Sequence, residues 1–576
     1  MSRRNQNPAG QLKSFKARCI FAGSCLAAGA IILIGRAVDL QVIDHAFLNS
    51  EADARHVRRA TIVAHRGTIT DRNGEPLAVS TPVDSIWVDP GEVVAASENI
   101  PLLASLLKMN EQSLTTLLTR NVDRNFLYLK RHINPVEAER ITSRDIPGVS
   151  SQREYRRYYP AAEVTGHLIG FANVDDVGQE GLELAFDHRL TGRSGSKLVL
   201  KDRLGRSVED IERVSVAEPG QDIAISIDLR IQYLAYRALK QAIQNNRAAS
   251  GSVVVLDIQT GEVLAMVNQP SYNPNDRSQF KATNYRNRAI TDILEPGSTI
   301  KPLIAAAAIE SGKYTPTSPL IDTNPGRFRV GSKMITDKHN LGVIDLTTVL
   351  SRSSNVGATK VALSLEPARL WKVLSDFGIG RSSASGFPGE SAGLLSHYDN
   401  WRPLSQATLA YGYGVSVTPL QLAEAYAVLG AQGLQRPVSL LPVKQPPIAR
   451  RVISAETARS VVEMMEQVVT REGTGLLAAV AGYKVAGKTG TTRKFKVGGY
   501  ADNRYTSLFA GVAPATNPRL SVVVVIDDPS AGQYYGGMVA GPVFSQIVAD
   551  AARILAIPPD AISPVKDYST TVALQR

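Results

Sequence analysis

The sequence has 576 residues, 44% of them hydrophobic and 20% charged, which is enough chain for several cores and too apolar for wholesale disorder. Lys and Arg number 64 against 53 Asp and Glu, a net charge of +11 that is compatible with nucleic acid, an anionic membrane or an ordinary solvated surface. Two cysteines exclude a disulfide scaffold, and a single long apolar segment excludes a polytopic membrane protein.

The first 18 residues carry Arg3, Arg4, Lys13, Lys16 and Arg18 and no acid, and Cys19 through Gly35 carry no charge. Seventeen uncharged residues at ~1.5 Å rise span ~26 Å against a bilayer core of ~30 Å, and Arg36 can snorkel and lend Ala37 and Val38 to the span. The pattern predicts a transmembrane helix over 19–38. It is read as retained, because cleavage at the small residues Ala28-Gly29-Ala30 would leave Ile31-Ile32-Leu33-Ile34 on the mature N-terminus. The preceding positive cluster predicts a cytoplasmic tail over 1–18, with everything after the helix exported. Those five cations leave +6 for the rest of the chain, too dilute to argue for nucleic acid. Cys19 and Cys25 both lie in the apolar run, so no thiol nucleophile is expected outside it. The eight histidines form no His-x-x-x-His pair, and neither a metal nor a cofactor is expected.

Residues 36–54 read as a stalk, helical or extended. Ile69 to Leu77 read as a hairpin around Asn73-Gly74, whose residue types suit a tight turn. Residues 90–145 carry helical spacing, as at Leu102, Leu103, Leu106 and Leu107, and Arg153–Asp187 reads as irregular structure. A domain boundary is drawn at Pro219-Gly220. Beyond it come a strand at Ile223–Ile227, an amphipathic helix at Leu229–Ile243, and a hairpin of Ser252–Leu256 with Glu262–Val267. Helical sequence follows to about residue 470, then strands at Tyr483–Thr489, Thr506–Val512 and Ser521–Ile526. The pattern predicts an α+β protein in which one antiparallel sheet is built from both ends of the second domain, with an all-α lobe between them.

Ser298-Thr299-Ile300-Lys301 places a hydroxyl and an amine three residues apart, on one face of a helix that follows the turn Pro296-Gly297. An unprotonated amine there could take the proton of Ser298 as it attacks a carbonyl, beside free N–H groups at the helix start. Ser-x-x-Lys alone is cheap, since it begins at Ser105, Ser194, Ser278, Ser298 and Ser563. Ser-x-Asn is equally so, at Ser97, Ser271 and Ser353. Order and a rarer third element discriminate: Lys488-Thr489-Gly490 occurs once and continues as Thr491.

The ordered set Ser298-x-x-Lys301, Ser353-Ser354-Asn355 and Lys488-Thr489-Gly490-Thr491 resembles the penicillin-interacting serine transferases and β-lactamases. Arg66-Gly67-x-Ile69-x-Asp71-Arg72-Asn73-Gly74 and Gly178-x-Glu180-Gly181-Leu182-Glu183 resemble pedestal motifs of class B penicillin-binding proteins. Tyr411-Gly412-Tyr413-Gly414 and Tyr535-Gly536-Gly537 also sit where that family has related motifs. The resemblance covers about residues 60–555 and is strongest to the division-specific septal group, of which penicillin-binding protein 3 is the type. It implies a single N-terminal transmembrane helix, an elongated α/β pedestal of the dimerisation type over 39–218, and a transpeptidase domain over 219–560. That domain would hold a five-stranded antiparallel sheet flanked by helices and an all-α lobe, and 561–576 would be a tail.

The resemblance also implies roles. Ser298 would be acylated, Lys301 would serve as its base, Ser353 would relay a proton to the leaving amine, and Asn355 would hold the substrate's peptide amide. Lys488 would keep the pocket positive. Thr489 and Thr491 would grip a terminal carboxylate beside Gly490, and the N–H groups of Ser298 and Thr491 would form an oxyanion hole. The residues alone leave open which group is the general base. The implied reaction is cross-linking of peptidoglycan stem peptides, a D-Ala-D-Ala donor and an amine acceptor, at the division septum, with β-lactams acylating the same serine. The implied location is the bacterial inner membrane with the catalytic domain in the periplasm. The implied partners are a septal glycosyltransferase and divisome membrane proteins.

A D,D-carboxypeptidase or a division scaffold with weak catalysis is the alternative. A class A β-lactamase is disfavoured, since between Asn355 and Lys488 the only Asn is Asn400 and Ser396 stands four residues before it, where that family's water-positioning loop has Glu. Tyr411 and Tyr413 are expected either to line the substrate groove or to pack. The Asp71–Gly74 turn is expected to be structural, and Glu180 and Glu183 to make interdomain contacts.

Overall fold

A computed structural model describes residues 8–43, 57–201, 207–276, 278, 282–496 and 499–561. A helix spans Pro8–Val38 and runs on as a π-helical turn at Asp39–Ile43. Its segment Ala17–Ile43 is long and apolar enough to cross a membrane, and side chains such as Ile20, Phe21 and Leu33 are exposed along it. Arg36 pairs with Asp39, so the charge that ends the apolar run is matched one turn on. Arg3 and Arg4, the stalk beyond Ile43, and Ser563 with the rest of the expected tail after residue 561 lie outside the described residues.

The chain forms two compact units that interleave along the sequence: Met1–Ala64, Pro82–Glu154 and Arg193–Pro219 in one, His65–Thr81, Tyr155–Gly192 and Gly220–Arg576 in the other. In the first, the helical spacing over 90–145 resolves into helices Pro90–Ala95, Ile100–Leu107, Glu111–Arg120 and Pro135–Thr142, with a strand, Leu127–Ile133, among them. Asp89, Asn110 and Asn134 cap three of these helices through their side-chain oxygens. Leu103, Leu107, Leu114, Leu118 and Ile141 fill the core against Ile86 and Val88. Val149–Tyr158 is a strand, and from Arg153 on it stands where irregular structure was expected. It has no apolar alternation to betray it, because its charges are paired: Arg153 with Asp84 at 2.6 Å and Glu154 with Arg131 at 3.0 Å.

In the second unit, the Asn73-Gly74 turn closes the hairpin as expected, with Gly74 at φ +89°. Asp71 Oδ1 accepts the N–H groups of Asn73 and Glu75 at 2.7 and 2.9 Å, and Oδ2 accepts that of Leu229 at 3.0 Å, which makes this residue a brace. The expected strand at Ile223–Ile227 is only Ile223–Ala224. It pairs in parallel with Ile69–Thr70 and stays out of the large sheet. Glu183 does not bridge the units: it is buried within this one, between Arg66 at 2.7 Å and Arg157 at 2.6 Å.

The large sheet consists of β1 (Ser250–Asp257), β2 (Val263–Gln269), β3 (Ala486–Lys496), β4 (Gly499–Ala513) and β5 (Leu520–Asp527), antiparallel throughout in the order β2-β1-β5-β4-β3. The helices that frame the sheet and the site are α1 (Leu229–Asn245), α2 (Lys301–Glu310), α3 (Asn355–Ser364), α4 (Pro419–Gly430) and α5 (Gly541–Ile554). Alternate residues of β1 feed two cores: Val253 and Val255 meet Ile231 of α1 and Phe544 of α5, whereas Val254 and Leu256 join the core of Leu422 and Tyr426 of α4. Both faces are therefore covered, which is why the strands read as unbroken apolar runs. The helical lobe also holds a small hairpin, Arg327–Val330 with Lys333–Thr336, that delivers Asp337 to the site.

Candidate active site

Ser298 stands in a 3-10 turn, Gly297–Ile300, that leads directly into α2. Pro296 sets the approach and Gly297, at φ +55°, makes the bend. Thr299 Oγ1 donates to Pro296 O at 2.6 Å, and the buried Tyr426 hydroxyl of α4 donates to Thr299 O at 2.8 Å. The Tyr411–Gly414 loop presses on the turn from the side, Gly297 N–H donating to Gly412 O at 3.2 Å. A Cβ on Gly412 would lie 2.1 Å from Gly297 O, so only glycine permits that approach.

Lys301 opens α2 and is fully buried. Its Nζ donates to Ser353 O at 2.6 Å, Asn355 Oδ1 at 2.8 Å and Ser353 Oγ at 3.2 Å. Lys488 Nζ, also buried, reaches the same Ser353 Oγ at 3.0 Å, along with Thr489 O at 3.2 Å and Thr489 Oγ1 at 3.3 Å. Among the described residues no hydrogen bond reaches the Ser298 hydroxyl, which is left half-buried and available. Burial pushes the Lys301 amine well below the usual lysine range. The nearby Lys488 acts in the same direction, and Asp337 opposes both. Burial also pushes Lys488 down, to about 7. Two amines that are easily neutral beside two hydroxyls have the chemistry to accept and pass on a proton.

Ser353 holds a left-handed backbone, φ +60°, immediately before Ser354 caps α3 through Gly357 N–H at 2.8 Å. Asp337 ties this corner together. Its Oδ1 accepts the N–H groups of Asn355 and Val356, the latter at 3.0 Å, and its Oδ2 accepts the Ser354 hydroxyl. Asn355 thereby starts α3 with its side chain on Lys301.

Strand β3 carries Lys488, Thr489, Gly490 and Thr491 near its start and continues to Lys496, past the expected end at Thr489. A Cβ on Gly490 would sit 3.0 Å from Pro296 O, so this glycine lets the strand pass close under the Ser298 turn. Thr491 Oγ1 accepts Gly536 N–H at 3.0 Å, which leaves its own proton free to donate. Thr489 Oγ1 pairs with Thr474 Oγ1 at 2.8 Å. Tyr411 is partly packed against the core, 5.6 Å from the Tyr413 ring, and Tyr413 Oη accepts Arg493 N–H at 3.4 Å. Tyr505 stacks on Tyr534 at 4.1 Å, and Lys338 lies over the Tyr535 ring at 5.1 Å.

The geometry thus gathers Lys301, Ser353, Asn355, Lys488 and Thr489 into one bonded cluster beside the Ser298 turn. The rival Ser278 faces Asp276 at 2.7 Å, and its Lys281 lies outside the described residues. Ser105 and Lys108 are exposed. Asp337, Thr474 and Glu295 went unassigned in sequence; each acts through a contact distant in the chain, and no motif marks it. Among the described residues no cluster of three or more His, Cys, Asp or Glu side chains could hold a metal.

Comparison with known proteins gives two family matches: the penicillin-binding protein transpeptidase domain over residues 251–549 and the penicillin-binding protein dimerisation domain over 61–225. The chain is 43% identical over 544 residues to the peptidoglycan D,D-transpeptidase FtsI of Escherichia coli K12, covering 94% of this chain and 92% of that protein. It is 37% identical over 535 residues to the peptidoglycan D,D-transpeptidase FtsI of Buchnera aphidicola from Schizaphis graminum, covering 92% and 94%. Among solved structures, the transpeptidase domain of Burkholderia pseudomallei penicillin-binding protein 3 matches with a TM-score of 0.55 and 42% identity, over 59% of this chain and 98% of that one.

Proposed function

The chain belongs to the class B penicillin-binding proteins, and on that premise we propose that Ser298 is the nucleophile of a peptidoglycan D,D-transpeptidase acting at the division septum. The carrying observation is the convergence of Lys301 and Lys488 on Ser353 Oγ beside the Ser298 turn. Neutral Lys301 takes the Ser298 proton as Oγ bonds to the penultimate D-Ala carbonyl carbon of the donor stem. The N–H groups of Ser298 and Thr491 stabilise the resulting oxyanion, an effect worth about 2.7–4 kcal/mol per donor in such sites. The proton passes through Ser353 to the amine of the terminal D-Ala as the C–N bond breaks. Asn355 holds the peptide amide, Thr489 and Thr491 bind the terminal carboxylate, and Lys488 supplies positive potential. Tyr411 and Tyr413 flank the stem. An acceptor amine then attacks the ester carbon and gives its proton back along the same relay, which restores Ser298 and leaves the cross-link. β-Lactams, strained amides beside a carboxylate, acylate the same atom.

The same reading makes 19–38 a retained anchor with residues 1–18 in the cytoplasm, 39–218 a pedestal and 219–560 the catalytic domain, in the periplasm. The basic cluster before the apolar helix supports this orientation. It also assigns a septal glycosyltransferase and divisome membrane proteins as partners. Labelling of the full chain with a fluorescent penicillin tests the nucleophile. Ser298→Ala abolishes the label and Ser278→Ala keeps it; a label that survives Ser298→Ala refutes the assignment. Cross-link formation with a nascent-glycan partner present, compared with D-Ala release in its absence, separates transpeptidation from carboxypeptidation.

A further inference from the structure

Glu295 stands three residues before Ser298 and has no part in the motif chemistry. Its Oε1 accepts two hydrogen bonds from segments far apart in the chain: Gly414 N–H at 2.9 Å and the Tyr500 hydroxyl at 3.0 Å. Gly414 ends the Tyr-Gly-Tyr-Gly loop, and Tyr500 lies on β4 directly opposite Phe495 of β3. Tyr413, between the two glycines, packs edge-on against Tyr500 at 5.3 Å and takes the N–H of Arg493, two residues beyond Thr491. The nucleophile turn meets the same loop again through Gly297 N–H to Gly412 O. One carboxylate oxygen therefore joins the turn that carries Ser298 to the hairpin that carries Thr491.

That junction matters because, among the described residues, β3 is an edge strand paired only with β4. Its distance from the Ser298 turn is not set by a backbone ladder on that side. An oxyanion hole works only when both donors lie about 2.7–3.1 Å from the developing charge. We propose that Glu295 is a positioning residue, whose two-point acceptor fixes the gap between the Ser298 turn and the β3–β4 hairpin and so the spacing of the two oxyanion donors. The inference rests on the assignment of Ser298 and Thr491 above.

The test is pre-steady-state acylation of the full chain by a chromogenic cephalosporin, which separates the non-covalent Kd from the acylation rate constant. Glu295→Ala is expected to lower the rate constant about 10–100-fold, a part of the loss that follows removal of a whole oxyanion donor, with Kd changed less than about threefold. Glu295→Gln, which keeps an oxygen able to accept both bonds, restores most of the rate. Tyr500→Phe gives an intermediate loss, and the Glu295→Ala/Tyr500→Phe double variant is no slower than Glu295→Ala alone. A merely structural role would lower the unfolding midpoint while folded protein kept the parent rate constant, and that result overturns the proposal. So does a Gln variant as slow as the Ala variant. If Glu295→Ala does not fold, an unchanged rate constant in Tyr500→Phe overturns it instead. Ser298→Ala is run alongside: a surviving label there defeats the nucleophile assignment, whereas a dead Ser298→Ala with a parent-like Glu295→Ala defeats this inference alone.

Discussion

Lys301 and Lys488 meet on one atom: their ammonium nitrogens lie 3.2 and 3.0 Å from Ser353 Oγ. Two amines so close and so buried cannot both hold a proton at ordinary lysine pKa values: burial lowers both, and Lys488 lowers Lys301 further. They titrate as a pair. Acylation needs a neutral Lys301, which burial and Lys488 hold well below the usual lysine range, so its rate is expected to reach a plateau well below pH ~10 and to fall only at lower pH, as Lys301 takes up its proton. A stopped-flow pH profile with a β-lactam that does not ionise in that range checks this. A rate still climbing toward pH ~10, the range of a free lysine, would mean that neither lysine is the base.

Asp337 gives the opposite lever. Its carboxylate favours protonated Lys301, against the effect of burial and of Lys488. Asp337→Asn removes that charge and keeps one oxygen for the N–H groups of Asn355 and Val356. The Lys301 pKa then falls further, and the acid limb of the acylation profile moves to lower pH. Asp337→Ala also leaves the N–H groups of Asn355 and Val356 and the Ser354 hydroxyl without this acceptor, which costs about 1–3 kcal/mol of stability and should appear in the denaturation midpoint. A limb that moves to higher pH in the Asn variant contradicts the electrostatic account.

These levers show where sequence reading succeeds and stops. The gathering of Lys301, Ser353, Asn355 and Lys488 beside the Ser298 turn was legible because three short motifs in fixed order are rare even though two of them are common singly. The five sheet strands were legible because β-branched runs covered on both faces need no alternation. The second half of β3 was not, since Thr492-Arg493-Lys494 sets three polar residues in a row and the apolar Phe495 after them is exposed, while Lys494 is held inward by Asp527 at 2.5 Å. Asp337, Thr474 and Glu295 are single residues whose meaning lies in a partner many positions away. Val149–Tyr158 hid for the same reason, its strand faces being satisfied by ion pairs.

Gly412 gives a steric prediction. A Cβ there would meet Gly297 O at 2.1 Å and Gly297 N at 2.4 Å, backbone atoms that cannot yield without moving Ser298. The residue also sits at φ +83°. Gly412→Ala is expected to cut penicillin labelling more than about tenfold, since misplacement of reacting atoms by about 1 Å costs that much or more. Gly386→Ala is the control: its φ of +78° carries the same backbone penalty, but a Cβ there meets nothing within 4 Å, so labelling persists. Equal labelling in the two variants would show that the loop does not hold the turn.

Glu183 is wholly buried, with Arg157 Nε on Oε1 at 2.6 Å and Arg66 on Oε2 at 2.7 Å. Arg66 has further partners in Asp187 at 2.8 Å, Thr191 Oγ1 at 2.7 Å and Asp176 O at 2.9 Å, so it can lose Glu183 and remain paired. Arg157 cannot: apart from Glu183 it holds Ser80 Oγ at 3.1 Å, and its buried Nη2 has no hydrogen-bond partner among the described residues. Glu183→Gln preserves shape but takes from the buried Arg157 its one hydrogen-bonded counterion among the described residues, leaving only the Asp176 carboxylate to act on it through space, a change that costs up to about 3–5 kcal/mol. At roughly 2.1 cal/mol/K per residue over the roughly 400 residues of this unit, each kcal/mol is worth about 1 °C, so the unfolding midpoint should fall by about 3–6 °C. Arg157→Met in the Glu183→Gln background removes the stranded charge and is expected to recover part of that loss. The double variant distinguishes a buried-charge penalty from simple loss of contacts, because loss of contacts alone would make it less stable than either single change.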